Sequence, residues 1–420
     1  MLYSKHLVPV KPILFKEFEC VQCGSRDLET HGVVFSGIHV LGRYTCKSCG
    51  SEFHRDLPIG FSIDHPMIIS KDQKLFGGEK GWEWISEPLL NGFKNKNDKE
   101  VQVERIVYKE ESKVIILNTM DYLYGHVLLK LYNAVHYMEQ NPDKGLILIL
   151  PKMFSWLIPE GVAEAWLVDQ RLGQTHGWHT KLDKWVQEQL TRFDQVELGK
   201  GYAHPEFYDL NIKSFTGVEP FPMEDFLTLR PHITFVARTD RIWFPNKTDR
   251  FIYRVFSKLG FKQSLGKLWI RQQNRLMERT MARISKEIPE AGFSVVGIGK
   301  VGKFNAKVND LRTDRMSDDI ERSWCEVYAK SQIVIGIHGS NMLLPTAHAA
   351  GCIEILPDDR FGNIVQDVSV RYQDRMQLFL YRFVDEYASS STVAKHAISM
   401  FKDFAVYYKD NRINIFDKAE

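Results

Sequence analysis

Short continuous apolar runs recur along this chain, each closing in a polar or glycine-bearing turn. Lys113-Val-Ile-Ile-Leu117 predicts a strand ending in Asn118-Thr119-Met120-Asp121, and Val127, Leu128, Leu131, Val135 and Tyr137 give the next segment the apolar face of a helix. Gly145-Leu-Ile-Leu-Ile-Leu150 predicts a buried strand closed by Pro151, whereas Ala163-Glu-Ala-Trp-Leu-Val168, preceded by Pro159-Glu160-Gly161, reads as a helix. A second series starts after Pro220-Phe221-Pro222. It contains a strand Ile233-Thr-Phe-Val-Ala237, an Arg-rich helix from Trp269 to Ile284 and a strand Phe293-Ser-Val-Val-Gly-Ile298. Ser317-Asp-Asp-Ile320 has the chemistry of a helix N-terminus, and that helix, running to Lys330, delivers the chain into a strand from Ile333 to Ile337. A further apolar run spans Cys352 to Leu356. Two strand–helix series predict an α/β fold with two Rossmann-like domains facing each other across a cleft.

The amino-terminal region follows a different pattern. Cys20-x2-Cys23 and Cys46-x2-Cys49 are separated by 22 residues, and Gly24 and Gly50 stand where the chain must turn after each second cysteine. Each pair can put two thiolates on one turn, and two such turns complete a tetrahedral S4 site for a structural Zn²⁺. Two disulfides in a secreted domain would use the same residues, but Met-Leu-Tyr-Ser-Lys-His lacks the charged-then-apolar pattern of a signal peptide. The expected organisation is a small zinc ribbon at 1–60, an amino-terminal α/β domain with its connecting segment at 61–228, and a carboxy-terminal α/β domain at 229–420. The metal should hold residues 15–57 together. The Gly/Asn/Lys-rich stretch from 60 to 105 reads as a connection packed down by Trp82 and Trp84, and Cys325 and Cys352 as inert core thiols.

Charge is unevenly spread. Arg230 to Arg283 holds thirteen Lys/Arg against three Asp/Glu, in a chain of net charge +2. Such a block implies an anionic partner: a nucleotide diphosphate, a phospholipid surface or a nucleic acid. No stretch approaches the roughly 20 apolar residues of a membrane span. The expected location is therefore cytoplasmic, with peripheral membrane contact open.

Candidate chemistry gathers where strands end. Ile333 to Ile337 runs into His338-Gly339-Ser340-Asn341, which offers an imidazole, a hydroxyl, an amide and backbone N–H groups. Ligands of open α/β sheets bind outside the carboxyl ends of strands, so this cluster reads as a site for a phosphorylated ligand. Arg238 and Arg241 follow another strand and can fork onto a diphosphate, or pair with Asp240 and solvent. His338 reads equally as a ligand contact and as a hydrogen-bonded structural residue, and Glu354 as a ligand contact or as a brace for the loop through its backbone N–H groups.

The sequence Gly336-Ile-His338-Gly339-Ser340-Asn341-Met-Leu-Leu-Pro345, followed by Ala349-Ala-Gly-Cys-Ile-Glu354-Ile, resembles the motif of family 61-type glycosyltransferases. Their version runs roughly Gly-x-His-Gly-Ala-Gly-Leu-Thr-Asn, then a small-residue loop and a Val-x-Glu-Ile strand. Here Ser-Asn replaces Ala-Gly, and Ser323-Trp324 stand where a Glu-Gln pair is expected, with Glu326 two residues on. The match covers mainly residues 230 to 370. It implies a GT-B arrangement, here following the zinc ribbon, with a carboxy-terminal domain gripping a nucleotide-sugar donor; the candidate donor residues are Arg238, Arg241, His338, Gly339, Ser340, Asn341 and Glu354. The implied reaction is sugar transfer to a glycan, lipid-linked glycan or protein acceptor, as in polysaccharide biosynthesis. The chain has no Asp-x-Asp motif near the proposed site, so the reading is metal-independent.

An inverting transfer needs a base for the acceptor hydroxyl. Asp121 and His126, between strand and helix of the first α/β series, are the candidates, each with a helix-capping or core reading beside it. His176-Gly-Trp-His179 reads as sugar-stacking aromatics or as a turn. The competing class is a zinc-ribbon nucleic-acid-binding protein, its phosphates tracked by Arg271, Arg275, Arg279 and Arg283 at successive i,i+4 positions. The same stripe would suit anionic lipid.

Overall fold

Strands buried on both faces dominate the architecture. The computed structural model describes residues 5–78, 80–202, 210–364, 366, 368–369 and 376–412. The chain divides into two units, Met1–Phe207 and Tyr208–Glu420.

In chain order the first unit contains β1 (Leu7–Lys11), β2 (Leu28–Phe35), β3 (Val40–Cys46), β4 (Glu52–Asp56), β5 (Ile68–Ser70), β6 (Leu75–Phe76), α1 (Glu83–Lys94), β7 (Val103–Val107) and β8 (Lys113–Asn118). There follow α2 (Tyr124–Leu131), α3 (Ala134–Gln140), β9 (Gly145–Pro151), β10 (Glu164–Val168), α4 (Thr180–Leu190) and β11 (Gln195–Gly199). One sheet has the order β1-β11-β8-β9-β10-β7. Its four inner strands are parallel, and β1 and β7 close its edges antiparallel. The strands predicted at 113–117 and 145–150 are present as β8 and β9. Ala163–Val168, expected as helix, is instead strand from Glu164. All five residues of β10 are buried, so the alternation that would mark a half-exposed strand is missing. Burial of Glu164 is compensated by Arg192, whose two terminal nitrogens donate to its carboxylate at 2.8 and 2.7 Å.

Strands β2 to β6 form a second, antiparallel sheet in sequential order. The stretch expected as a connection thus contributes β5, β6, α1 and β7. Val33, Tyr44 and Phe53 of the antiparallel sheet share one core with Ile116, Ile147, Trp166 and Val196 of the parallel one. Trp82 stacks on His65 with ring centroids 3.5 Å apart, and Trp84, though 41% exposed, packs against Phe61 and Tyr122 with centroids at 5.3 and 6.0 Å.

The second unit contains α5 (Lys213–Thr216), β12 (His232–Ala237), α6 (Lys247–Lys258), α7 (Lys262–Glu287), β13 (Gly292–Gly297), β14 (Val308–Asp310), α8 (Asp318–Tyr328) and β15 (Ile333–Ile337). After these come α9 (Leu343–His348), β16 (Gly351–Leu356), α10 (Met376–Leu380), β17 (Tyr381–Asp385), α11 (Ser390–Lys402) and α12 (Phe404–Arg412). Ser317 caps α8 as predicted, its Oγ accepting from the Ile320 N–H at 3.4 Å. The sheet is wholly parallel, in the order β14-β13-β12-β15-β16-β17. That is the doubly wound Rossmann order, which reverses direction between β12 and β15. Phe235, Val295, Ile335 and Ile353 from its strands share a core with Met277, Met281 and Ile284 of α7 and with Val393 and Met400 of α11. Cys325 and Cys352 are buried, as expected. No helix among the described residues is long and apolar enough to cross a membrane.

Candidate functional site

The reversal point between β12 and β15 brings the two predicted clusters together. Arg238 and Arg241 leave the carboxyl end of β12, and His338 to Asn341 leave the carboxyl end of β15. Both guanidinium groups converge on Gly339. A Cβ built there would lie 2.4 Å from Arg238 Nη1 and 2.9 Å from Arg241 Nη1, and the glycine has φ +151°. Only glycine permits this approach with that backbone. Arg241 Nη1 donates to the His338 carbonyl at 2.8 Å. Arg238 Nη1 donates to Asn341 Oδ1, while its Nε donates to Asp240 Oδ1 at 2.9 Å. Asn341 Nδ2 is buried with no hydrogen-bond partner among the described residues, so one donor at the site is unspent. Ser340 is half-buried at the start of a short 3-10 turn, Ser340–Met342.

His338 and Glu354 are both fully buried and bonded to each other through His338 Nδ1. His338 Nε2 lies 3.1 Å from the Asn363 carbonyl, which can only accept, so this nitrogen carries a proton. The imidazole is therefore committed on both sides, and Glu354 braces the loop through that ring.

Beside this cluster lies a cleft of about 170 Å³, lined among others by Arg241, Arg250, Arg254, Arg360, Asp359 and Glu386. It opens at the carboxyl ends of β12, β15, β16 and β17. Arg250 is neutralised: it bonds Glu386, donates to Tyr387 Oη at 3.1 Å and faces Asp359 at 3.8 Å. Arg254 and Arg360 have no side-chain partner among the described residues, which leaves two cations on the cleft wall for an anion. Sequence reasoning missed Arg250, Arg254, Arg360 and Glu386. Only the i,i+4 pair Arg250 and Arg254 within the basic block hinted at them.

Asp121 and His126 lie in the first unit, just past β8 and in α2. Asp121 is fully buried, 2.8 Å from Lys130 Nζ and 3.5 Å from His126 Nδ1. Burial alone would raise its carboxyl, but the Lys130 charge and the His126 and Lys130 hydrogen bonds outweigh it and hold it well below the usual carboxylate range. Around His126 stand Phe61 and Tyr122, with ring centroids at 5.4 and 6.5 Å. Tyr122 in turn lies against His176 at 3.9 Å, whereas Trp178 is buried against His54 and Phe93.

The four amino-terminal cysteines come together on two matched knuckles. Gly24 N–H donates to Cys20 O and Gly50 N–H to Cys46 O, both at 2.8 Å, and both glycines have φ +72°. All four Sγ atoms lie within 4.8 Å of one another, a donor set that can hold a metal ion. In α7, Arg271, Arg275, Arg279 and Arg283 are all exposed, opposite a face on which Leu276, Met277, Met281 and Ile284 are buried.

No protein-family model matches the chain, and no curated protein matches it. Among solved structures, one described as a UDP-N-acetylglucosamine 2-epimerase from Listeria monocytogenes is 10% identical, with 71% of this chain and 68% of that chain covered and a TM-score of 0.29. TarM is 9% identical, with 94% and 77% covered and a TM-score of 0.22. Both are distant likenesses, too low in identity and in superposition to assign a function.

Proposed function

We propose that the chain is a glycosyltransferase whose carboxy-terminal unit holds the diphosphate of a nucleotide-sugar donor at the β12/β15 reversal. The observation that carries this reading is the convergence of Arg238 and Arg241 on Gly339, beside a cleft bearing Arg254 and Arg360, which have no side-chain partner among the described residues. Charge grows on the leaving nucleoside diphosphate during transfer, and fixed guanidinium groups at a strand end stabilise it without a divalent metal. Arg238, engaged with Asp240 and Asn341, sets the loop, and Arg241 and Arg360 meet the phosphates. His338 and Glu354 act through the loop that they hold. The acceptor is a glycan, lipid-linked glycan or protein. In the first unit, His126 takes the acceptor proton, and Asp121, kept ionised by Lys130, orients the ring from behind.

The metal of the knuckles is zinc in this reading. Sγ separations of 3.8 Å for Cys20–Cys49 and 3.6 Å for Cys23–Cys46 suit a tetrahedron with Zn–S bonds of about 2.3 Å. With four protein ligands such a site is closed, so its part is structural.

Calorimetric titration with UDP- and GDP-sugars, followed by transfer assays with and without EDTA, tests the reading. Arg241→Ala and Arg360→Ala should each lower kcat/KM by about 30- to 1000-fold, equivalent to roughly 2–4 kcal/mol, while Arg275→Ala leaves it unchanged. Equal losses at Arg241 and Arg275, or full dependence on added Mn²⁺ or Mg²⁺, would sink it. One observation favours nucleic acid instead: the Arg271–Arg283 row is exposed, and its guanidinium groups have no ion-pair partner among the described residues. Strongly salt-dependent RNA or DNA binding lost in Arg275→Ala would shift the reading there.

A further inference from the structure

Nineteen large apolar side chains are exposed among the described residues, and six of them crowd into the α6–α7 hairpin: Phe251, Ile252, Val255, Leu259, Phe261 and Leu268. Phe251 is 67% exposed and Leu259 63%. At 3.6 residues per turn Phe251, Val255 and Leu259 form one row along α6, with Ile252 beside it. Lys247, Arg254 and Lys258, all exposed, flank that row on one side. The opposite face is anchored, because Tyr253 and Phe256 pack on Trp269 with ring centroids 5.4 and 6.1 Å away. The helix is thus held in place by its inner aromatics while its outer apolar row has no cover among the described residues.

We infer that this face of α6 docks on a bilayer bearing anionic headgroups, with Phe251, Val255 and Leu259 entering the acyl boundary and Lys247 and Lys258 resting on the phosphates. A helix with an apolar row and a cationic flank lies in the plane of such an interface. Charge complementarity selects this occupant. A second copy of the chain would bring like cations face to face across a two-fold contact. A nucleic-acid backbone would satisfy the cations but leave the apolar row in water. The inference is independent of sugar transfer, and it places the membrane contact on α6 instead of on the Arg271–Arg283 row.

Co-sedimentation of the full chain with vesicles, without any nucleotide sugar, tests it. Vesicles of phosphatidylglycerol in phosphatidylcholine should pull down the protein, vesicles of phosphatidylcholine alone should not, and raised salt should weaken the binding. The double variant Phe251→Ser/Leu259→Ser should partition at least about 30-fold more weakly, and Lys247→Glu/Lys258→Glu should weaken it as well. Because both apolar residues are exposed, the melting temperature of the serine variant should match the parent, which separates lost docking from lost folding. Vesicle binding that survives Phe251→Ser/Leu259→Ser would overturn the inference, as would absence of binding to anionic vesicles. Self-association of the parent chain abolished by the same two substitutions, with no vesicle binding, would give the face to a second copy.

Discussion

Gly339 is the residue on which the proposed donor site turns. A Cβ there meets Arg238 Nη1 at 2.4 Å and Arg241 Nη1 at 2.9 Å, and neither group can retreat without giving up its bond to Asn341 or to the His338 carbonyl. Gly339→Ala should therefore cost about 1–3 kcal/mol of stability and abolish nucleotide-sugar binding, a loss out of proportion to one methyl group. A thermal melt and a donor titration on the same sample check both. His54 carries a second prediction. Burial, then the charges of Arg43 and Lys96, push its imidazole down to about 4. The unfolded chain takes up that proton near its ordinary value of 6.5, so between these values the unfolded state binds more protons. The His54 contribution is complete above about pH 6.5 and is lost as pH falls toward 4, on the order of 2–3 kcal/mol. Denaturant melts across that window should show a shallower decline for His54→Phe than for the parent.

At the scale of elements, the two cysteine knuckles are copies of one turn, with the same glycine conformation and the same hydrogen bond. Since β2–β4 share a core with the parallel sheet, Cys20→Ser should loosen more than the knuckle itself. We expect faster hydrogen exchange throughout residues 15–57, less than one zinc per chain by elemental analysis, and donor affinity unchanged. Much of this element structure was legible beforehand. The cysteine spacing, the strand ending at Ile337 and the Ser317 cap each carry a local signal that no distant contact can reverse. Ala163–Val168 carried none, because a strand covered on both faces loses its alternation, and Ala, Glu and Leu favour helix locally. The carboxylate partner of His338 was also hidden. Glu354 reaches that ring only because β15 and β16 pair in register, a long-range fact that composition does not encode. Arg250 and Arg360 converge on the cleft for the same kind of reason, from opposite ends of the unit's sequence.

At the scale of the molecule, each unit owns a core, and each parallel sheet reverses its strand order once. That reversal in the second unit was implied by the sequence only through the two polar clusters that meet there. The first unit has a further property in how its edge is closed: β1, Leu7–Lys11, pairs antiparallel with β11, Gln195–Gly199. β1 thus leaves the ribosome well before the strand it pairs with. At synthesis rates of roughly 5–20 residues per second it waits on the order of 10–40 s for its partner. Until then β1 has no partner, and an uncovered strand edge is a template for pairing with another nascent chain. Deleting residues 7–11 would instead leave the outer edge of β11 uncovered for good, and the expected outcome is insoluble protein at 37 °C that a lower expression temperature rescues only in part. Bulky fusions placed directly before β1 should act in the same direction by slowing its return, so the yield of soluble protein becomes a clock for the closing of the first sheet.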